Sequence, residues 1–181
     1  MNMIQNNEKM IKIIGARGNI QKIEDFIKNA HTFFEKNDIV VQIFDAEMIF
    51  GKNHLTSSVE HAIRSMNNGT NTTNSLEKEI LLYSSGERQI KIAIDKMGIK
   101  KNTNKFAIVF LPENIESLKK IGNLISEFLN KTNLLKDDKV LEGDVNKLIN
   151  YGIDEKELLT VSEKNWLGLV FEKVAMVDII K

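Results

Sequence analysis

The hydrophobic residues of the chain follow two periods, one typical of strands and one typical of helices. Three short apolar runs, rich in β-branched and aromatic residues, predict buried strands at residues 10–14, 39–44 and 106–111. The first run leads into a Gly-Ala-Arg-Gly turn at residues 15–18. The last is closed by Pro112, the only proline, which cannot donate a hydrogen bond to a strand ladder. These runs predict a small sheet.

Longer segments repeat their apolar residues every three or four positions, as amphipathic helices do. They predict helices at residues 20–30, 53–66, 76–83 and 115–129, shorter helices at 145–151 and 154–159, and a last helix at 167–177. Asn74 and Glu77 have the spacing of a capping box, as do Ser84 and Glu87, so a further helix is expected to start at Ser84 and to end at Gly98. Residues 131–143 are charged and irregular.

Length and element order together predict an α/β (α+β) fold. A chain of 181 residues fits one compact domain, and 42% apolar residues are enough to form its core. We therefore expect a single domain over residues 1–181, with a small mixed sheet of three to four strands surrounded by about seven helices.

The charge and cysteine content narrow the possible functions. Lysine plus arginine equal aspartate plus glutamate at 25 each, so the overall charge does not attract nucleic acid or anionic lipid, and RNA contact requires a local patch. Cysteine is absent, which excludes disulfides, thiolate metal sites and cysteine nucleophiles and fits a reducing cytoplasm. Without a signal-like start or a long apolar stretch, we expect a cytoplasmic protein that is neither secreted nor membrane-spanning.

Candidate catalytic groups are few. The turn at residues 15–18 could cradle a phosphate with its backbone N–H groups, but it lacks the third glycine of a dinucleotide motif and the Gly-Lys-Ser/Thr of a P-loop. Asp45 and Glu47 follow the second strand and could bind magnesium or share a proton, although solvated loop carboxylates look the same. His54 and His61 lie two helical turns apart, about 11 Å, which is too far to share a metal ion. We predict no catalytic residue, metal or cofactor.

The segment from Ser84 to Lys91 is the strongest candidate for a ligand site. It places a glycine, Arg88 and Gln89 at a predicted helix N-terminus, where free N–H groups and a partial positive charge favour phosphate. Arginine and glutamine can also bond base edges. The alternative is an ordinary capped corner between two helices.

A longer run around this segment resembles a known family. Residues 75–90 read Ser-Leu-Glu-Lys-Glu-Ile-Leu-Leu-Tyr-Ser-Ser-Gly-Glu-Arg-Gln-Ile and continue through Ala93-Ile94 and Gly98-Ile99. They resemble the signature of the small kinase-binding subunit of the KEOPS complex, the family of the p53-related protein kinase binding protein. Residues 41–46 and 54–62 are similar to archaeal members. The resemblance extends over essentially the whole chain and is most specific between Glu79 and Gly98.

The resemblance implies a non-catalytic subunit that binds the small atypical kinase of the complex, which is an ATPase. The complex installs threonylcarbamoyl on the adenosine next to the tRNA anticodon, and archaeal relatives help to recruit tRNA by its single-stranded 3′ CCA end. The alternatives are a small stand-alone enzyme that binds a nucleotide or phosphate, and a protein-only scaffold without RNA contact. Neither DNA nor a membrane is an expected partner.

Residues for these two roles can be named. Binding a CCA end needs cations for phosphate and a surface on which bases stack. The expected tRNA-binding residues are Arg88, Lys91, Arg64, Tyr83, Gln89 and Ser84, with Lys52 and His54 at the start of another helix. The last helix is apolar beyond a single stripe, which fits an interface, although a helix buried on two sides would show the same pattern. The expected partner-binding residues are Trp166, Leu169, Val170 and Lys173.

Overall fold

The structure is a computed structural model that describes residues 10–180, leaving aside the side chain of Ile180. Within these residues the chain forms four β-strands and eight α-helices. In chain order they are β1 (Lys12–Arg17), α1 (Ile23–Glu35), β2 (Ile39–Asp45), α2 (Gly51–Asn68), α3 (Leu76–Ser85), α4 (Ile90–Met97), β3 (Lys105–Pro112), α5 (Ile115–Thr132), β4 (Leu135–Lys136), α6 (Val145–Tyr151), α7 (Glu155–Leu159) and α8 (Trp166–Ile180). The predicted α+β class is confirmed.

The chain divides into two compact units that alternate along the sequence. Unit 1 comprises residues 10–46 and 99–140 of the described chain, and unit 2 comprises residues 47–98 and 141–180. Unit 1 contains all four strands together with α1 and α5. Unit 2 contains the other six described helices.

The sheet of unit 1 has the strand order β2-β3-β1-β4. Each described pairing is antiparallel, which corrects the expectation of a mixed sheet. Ile108 of β3 lies between Ile14 of β1 and Ile43 of β2, so β3 joins two strands that are far apart in sequence. The pattern missed β4, because two residues are too few to show an alternation and Leu135 is 69% exposed.

The core of unit 1 is built from aromatic and β-branched side chains. Phe34 of α1 packs 4.8 Å from Phe110 of β3 and 5.2 Å from Phe128 of α5, measured between ring centroids. Phe26 of α1 lies 6.0 Å from Phe106. Such aromatic pairs contribute about 0.5–1.5 kcal/mol each beyond their buried area. This packing fixes α1 and α5 against the sheet.

Unit 2 is a helical assembly in which α3 contacts α2, α4 and α8, and α2 contacts α8. Its apolar core takes residues from each of these helices and from α6. The fully buried members include Leu55, Val59, Ala62, Ile80, Leu82, Ala93, Met97, Leu148, Val170, Val174 and Val177. Gly69 ends α2 and Gly86 ends α3, both in the left-handed conformation that glycine adopts without a steric penalty.

Both predicted capping boxes in unit 2 are wrong. The N-cap residue of α3 is Ser75 rather than Asn74, and the Ser75 side chain makes no capping hydrogen bond. The helix expected to start at Ser84 starts at Ile90, because Ser84 still belongs to α3 and its Oγ donates to the carbonyl of Ile80 at 2.7 Å. The chain leaves the α-helical conformation only at Gly86, so the corner lies between that glycine and Ile90.

Candidate functional site

The corner between α3 and α4 turns at Gly86. The backbone there has φ of +69°, and its N–H donates to the carbonyl of Tyr83 at 3.1 Å. A Cβ at this position would lie 3.2 Å from the Tyr151 hydroxyl and 3.2 Å from the Cβ of Lys173. Only glycine combines this conformation with this close approach.

The partly buried Lys96 stabilises the corner by hydrogen bonds. Lys96 Nζ donates to the Ser85 carbonyl at 2.7 Å and to Glu87 Oε1 at 3.1 Å, and it lies 4.4 Å from the centre of the Tyr151 ring. Burial is the strongest influence and lowers the pKa of Lys96, while the hydrogen bond and charge of Glu87 partly oppose it. These contacts fix residues 85–87, and therefore also the start of α4.

Arg88, Gln89 and Lys91 are exposed on this fixed corner. Within the described part of the chain, none of their side chains has a hydrogen bond or ion pair. Ile92 and Ile94 follow them and are 44% and 49% exposed. The corner therefore offers two cations and an amide beside apolar surface, a combination suited to phosphate and to unpaired bases.

Three of the predicted RNA-binding residues are buried, which corrects the expectation that they reach a ligand. Tyr83 is fully buried and its hydroxyl donates to Asp178 Oδ1, so it offers no ring for stacking. Ser84 is fully buried and bonded within α3. The reason is that α3 buries every residue from Glu79 to Ser85.

His54 is the third of these buried residues and is a structural histidine. The Phe50 N–H donates to its Nδ1 at 3.3 Å, so Nε2 carries the proton and donates to the Ser84 carbonyl at 2.9 Å. Burial lowers the pKa of His54 to about 4, with the bond to Ser84 opposing and the charge of Lys96 adding to the effect. The ring is therefore neutral at pH 7, and its hydrogen bond to Ser84 connects α2 to the end of α3.

Arg64 and Lys52 lie on α2 and are exposed. Arg64 Nη2 lies 3.1 Å from Asp178 Oδ2 and 2.6 Å from His61 Nδ1, while 52% of its side chain stays exposed. No hydrogen bond or ion pair among the described residues joins Arg64 or Lys52 to Arg88.

The residues of α8 that were expected to bind a partner are not its exposed apolar residues. Val170 is fully buried, whereas Trp166, Leu169 and Lys173 are half-buried. Lys173 Nζ donates to Glu157 Oε1 at 3.2 Å. The exposed apolar side chains of α8 are Phe171, Ala175, Met176 and Ile179. We call these four residues the outer face of α8. The only signal in the sequence was that this helix is apolar all round, which is typical of a helix covered on both sides.

The alternative of a phosphate-binding turn is not supported by the geometry. Gly15 and Arg17 belong to β1, and the Gly15 N–H donates to Asp138 Oδ1 at 2.9 Å. The Gly18 N–H donates to the Asn104 carbonyl at 3.0 Å. A Cβ on Gly15 would lie 2.3 Å from the Asp137 carbonyl oxygen, so this glycine serves close backbone packing rather than a ligand.

The acidic candidates Asp45 and Glu47 belong to no group of described side chains that could hold a metal ion. Asp45 Oδ2 accepts a hydrogen bond from Thr103 Oγ1 at 2.9 Å. Among residues 10–180, no three His, Asp or Glu side chains lie close enough together to hold a metal ion. Nor is any described helix both long enough and apolar enough to span a membrane.

The family model described as kinase binding protein CGI-121 matches residues 4–178. The match covers nearly the whole chain and includes both units. No curated protein matches the sequence.

Proposed function

Because the chain belongs to the family of kinase binding protein CGI-121, we propose that it is a non-catalytic adaptor subunit of the KEOPS complex. In this role it binds the small atypical kinase of the complex in the cytoplasm and recruits tRNA through its single-stranded 3′ CCA end. The complex then makes threonylcarbamoyladenosine next to the anticodon. The observation that carries this proposal is the family match over residues 4–178.

The RNA surface of the proposal is the exposed corner at Arg88, Gln89 and Lys91. Its cations are not neutralised by an acid in the described chain, and the hydrogen bonds of Lys96 and the close packing at Gly86 hold the corner in place. Because the whole chain has zero net charge, affinity depends on these few cations. Each phosphate contact on single-stranded RNA contributes about −0.7 to the slope of log affinity against log salt, so binding is salt-sensitive.

The kinase-docking surface of the proposal is the outer face of α8. Ile179 is 75% exposed and Met176 is 40% exposed, although both lie on a helix whose other side is core. An apolar helix face of this kind fits a groove on a partner, with anchors spaced three or four residues apart. Phe171, Ala175 and Ile179 have this spacing.

We also propose that the two units act as one domain. The chain passes between them at residues 46–47, 98–99 and 140–141, so neither unit is a continuous segment. The family match extends through both.

The RNA part is tested by titrating tRNA, with and without its 3′ CCA, against the unmodified chain and the Arg88→Glu variant. We expect Arg88→Glu to weaken binding of intact tRNA by about tenfold, or about 1.4 kcal/mol. Lys164→Glu is the matched control, since it makes the same charge change at another exposed position of unit 2. Equal losses in both variants would contradict the assigned surface, and no RNA binding by the unmodified chain would favour a protein-only scaffold.

The kinase part is tested by comparing two exposed isoleucines. Ile179→Glu on α8 should weaken kinase binding at least about tenfold, because it buries an unpaired charge in an apolar interface. Ile115→Glu is the matched control, since Ile115 is 68% exposed and lies at the start of α5 in unit 1. Unchanged kinase affinity in Ile179→Glu would refute the outer face of α8 as the docking surface.

A further inference from the structure

Asp178 on α8 contacts side chains from two other helices of unit 2. Its Oδ2 lies 3.1 Å from Arg64 Nη2 and 2.7 Å from His61 Nδ1, and both of these residues are on α2. Its Oδ1 accepts a hydrogen bond from the hydroxyl of Tyr83 on α3. We call these four residues the Asp178 cluster. Burial raises the pKa of Asp178, but the hydrogen bonds from Tyr83, His61 and Arg64 outweigh it and hold that pKa below its usual range. Asp178 is therefore ionised at neutral pH.

Within the cluster, His61 Nδ1 faces two partners that it cannot satisfy together. It lies 2.6 Å from Arg64 Nη2 and 2.7 Å from Asp178 Oδ2. A ring nitrogen has either one proton to donate or one lone pair to accept. Thus either Arg64 donates to His61, or His61 donates to Asp178. The cluster has two hydrogen-bonding arrangements that hold Arg64 differently, which is the property that an energetic coupling requires.

The position of Asp178 links this cluster to the proposed docking surface. Asp178 immediately precedes Ile179, a member of the outer face of α8 that is 75% exposed. A partner that covers the outer face restricts the last turns of α8, and with them the carboxylate that holds Arg64. Arg64 stays about half exposed, so its guanidinium, which has five N–H donors, can bind a phosphate while Asp178 orients it.

We propose that Asp178 is a positioning residue that couples kinase docking on α8 to RNA binding through Arg64. Kinase on the outer face restricts Asp178, which then presents Arg64 in one orientation as a phosphate contact additional to Arg88 and Lys91. The conformational entropy of Asp178 and Arg64 is lost when the kinase binds and not when RNA binds. RNA therefore binds more tightly afterwards. By linkage, RNA tightens kinase binding by the same factor. This inference rests on the proposed function and adds a regulatory connection to it.

The test measures affinity for a short fluorescent single-stranded RNA ending in CCA, with and without saturating kinase. The kinase alone is titrated with the same RNA to remove any direct contribution. We expect kinase to tighten RNA binding by the unmodified chain about fivefold, the lower end of typical coupling energies. Asp178→Asn should lose this gain. It should also bind RNA more weakly without kinase, although removing a negative charge alone would tighten binding to a polyanion.

Two further variants separate positioning from general damage. Glu163→Gln removes one negative charge from another exposed site of unit 2 and should keep the fivefold gain. Arg64→Gln should lose the gain, and adding Asp178→Asn to it should change nothing more, as expected for two residues that act through one contact. Because Arg64 is half exposed, its substitution is compatible with folding even if Asp178→Asn melts early, and thermal melting of each variant checks this.

The outcomes distinguish the inference from the function on which it rests. If the unmodified chain binds no RNA or no kinase, the proposed function fails and the coupling fails with it. If it binds both but shows no gain, or if Asp178→Asn keeps the gain, the coupling alone is refuted. A gain that survives Arg64→Gln would likewise exclude Arg64 as the residue through which Asp178 acts.

Discussion

The two units of the chain differ in what they bury. Unit 1 buries mainly phenylalanine and isoleucine around its sheet, and its buried polar side chains in the described chain are Thr103 and Ser117. Unit 2 buries His54, Ser58, Ser65, Thr73, Glu79, Ser84, Ser85 and Lys147. Apolar packing is non-directional and tolerates rearrangement, whereas buried hydrogen bonds demand a defined geometry. Unit 1 is therefore a packed scaffold, and unit 2 holds its turns by directional contacts.

The largest expected effect lies in unit 1. Phe34→Ala removes a fully buried ring that packs against Phe110 and Phe128, and it should lower the free energy of unfolding by about 4 kcal/mol. Urea unfolding followed by circular dichroism measures this loss. Phe34→Leu, which retains most of the volume, should lose clearly less. Similar losses in the two variants would show that this core is not the plain packed scaffold described above.

The second effect tests a buried carboxylate of unit 2. Glu79 accepts hydrogen bonds from Ser65 Oγ at 3.1 Å, from the Thr73 N–H at 3.0 Å and from Thr73 Oγ1 at 2.8 Å. Glu79→Ala leaves these buried donors without an acceptor and should cost about 3 kcal/mol in urea unfolding. Glu77→Ala on the same helix is the control and should cost roughly 0.5 kcal/mol, through the helix dipole alone. Equal small costs would mean that unit 2 does not depend on its buried polar contacts.

The third effect is a pH dependence that arises in unit 2. His54 has a folded pKa of about 4, below its ordinary value of 6.5, so the unfolded chain binds the proton more readily. The stability this contributes is complete above pH 6.5 and is lost as the pH falls towards 4. Between pH 7 and pH 5 the free energy of unfolding should drop by about 2 kcal/mol. Urea titrations at both pH values measure it, and His54→Gln should remove most of the drop.

The smallest effect compares two left-handed glycines of unit 2. Gly86→Ala and Gly69→Ala share a backbone penalty of about 1–2 kcal/mol, since their φ angles are +69° and +66°. A Cβ at Gly86 also meets Lys173 and Tyr151 at 3.2 Å, whereas a Cβ at Gly69 meets nothing within 4 Å. We expect Gly86→Ala to cost about 1 kcal/mol more and to weaken RNA binding, which Gly69→Ala should leave unchanged. Equal stability losses would show that the corner is not tightly packed.

The sequence predicted those elements in which the hydrophobic period continues over enough residues to distinguish a helix from a strand. The strands β2 and β3 and the helices α2 and α5 lie close to their predicted positions. Failures occurred where local signals compete. Ser84 and Glu87 have the spacing of a capping box, but the last turn of α3 uses Ser84 and Lys96 binds Glu87, and neither contact is visible as spacing.

The candidate site was predictable only in part, for the same physical reason. Arg88 and Lys91 are exposed, which their predicted role requires, because charged side chains without partners stay in water. Tyr83 and His54 have polar tips that suit a surface or a core equally well, and only the packing of α3 on several helices buries them. The outer face of α8 has no sequence signature, since an apolar helix does not indicate which side remains uncovered.

The strand order also has a consequence for synthesis on the ribosome. β1 and β2 each pair with β3, which begins about 60 residues after β2 ends. At translation rates of about 5–20 residues per second, β2 waits roughly 3–12 s for β3, and β1, which ends earlier in the chain, waits longer. During that interval the nascent chain carries unpaired apolar strand edges, which are prone to association. The duration of this exposure is therefore set by translation speed rather than by the stability of the finished sheet.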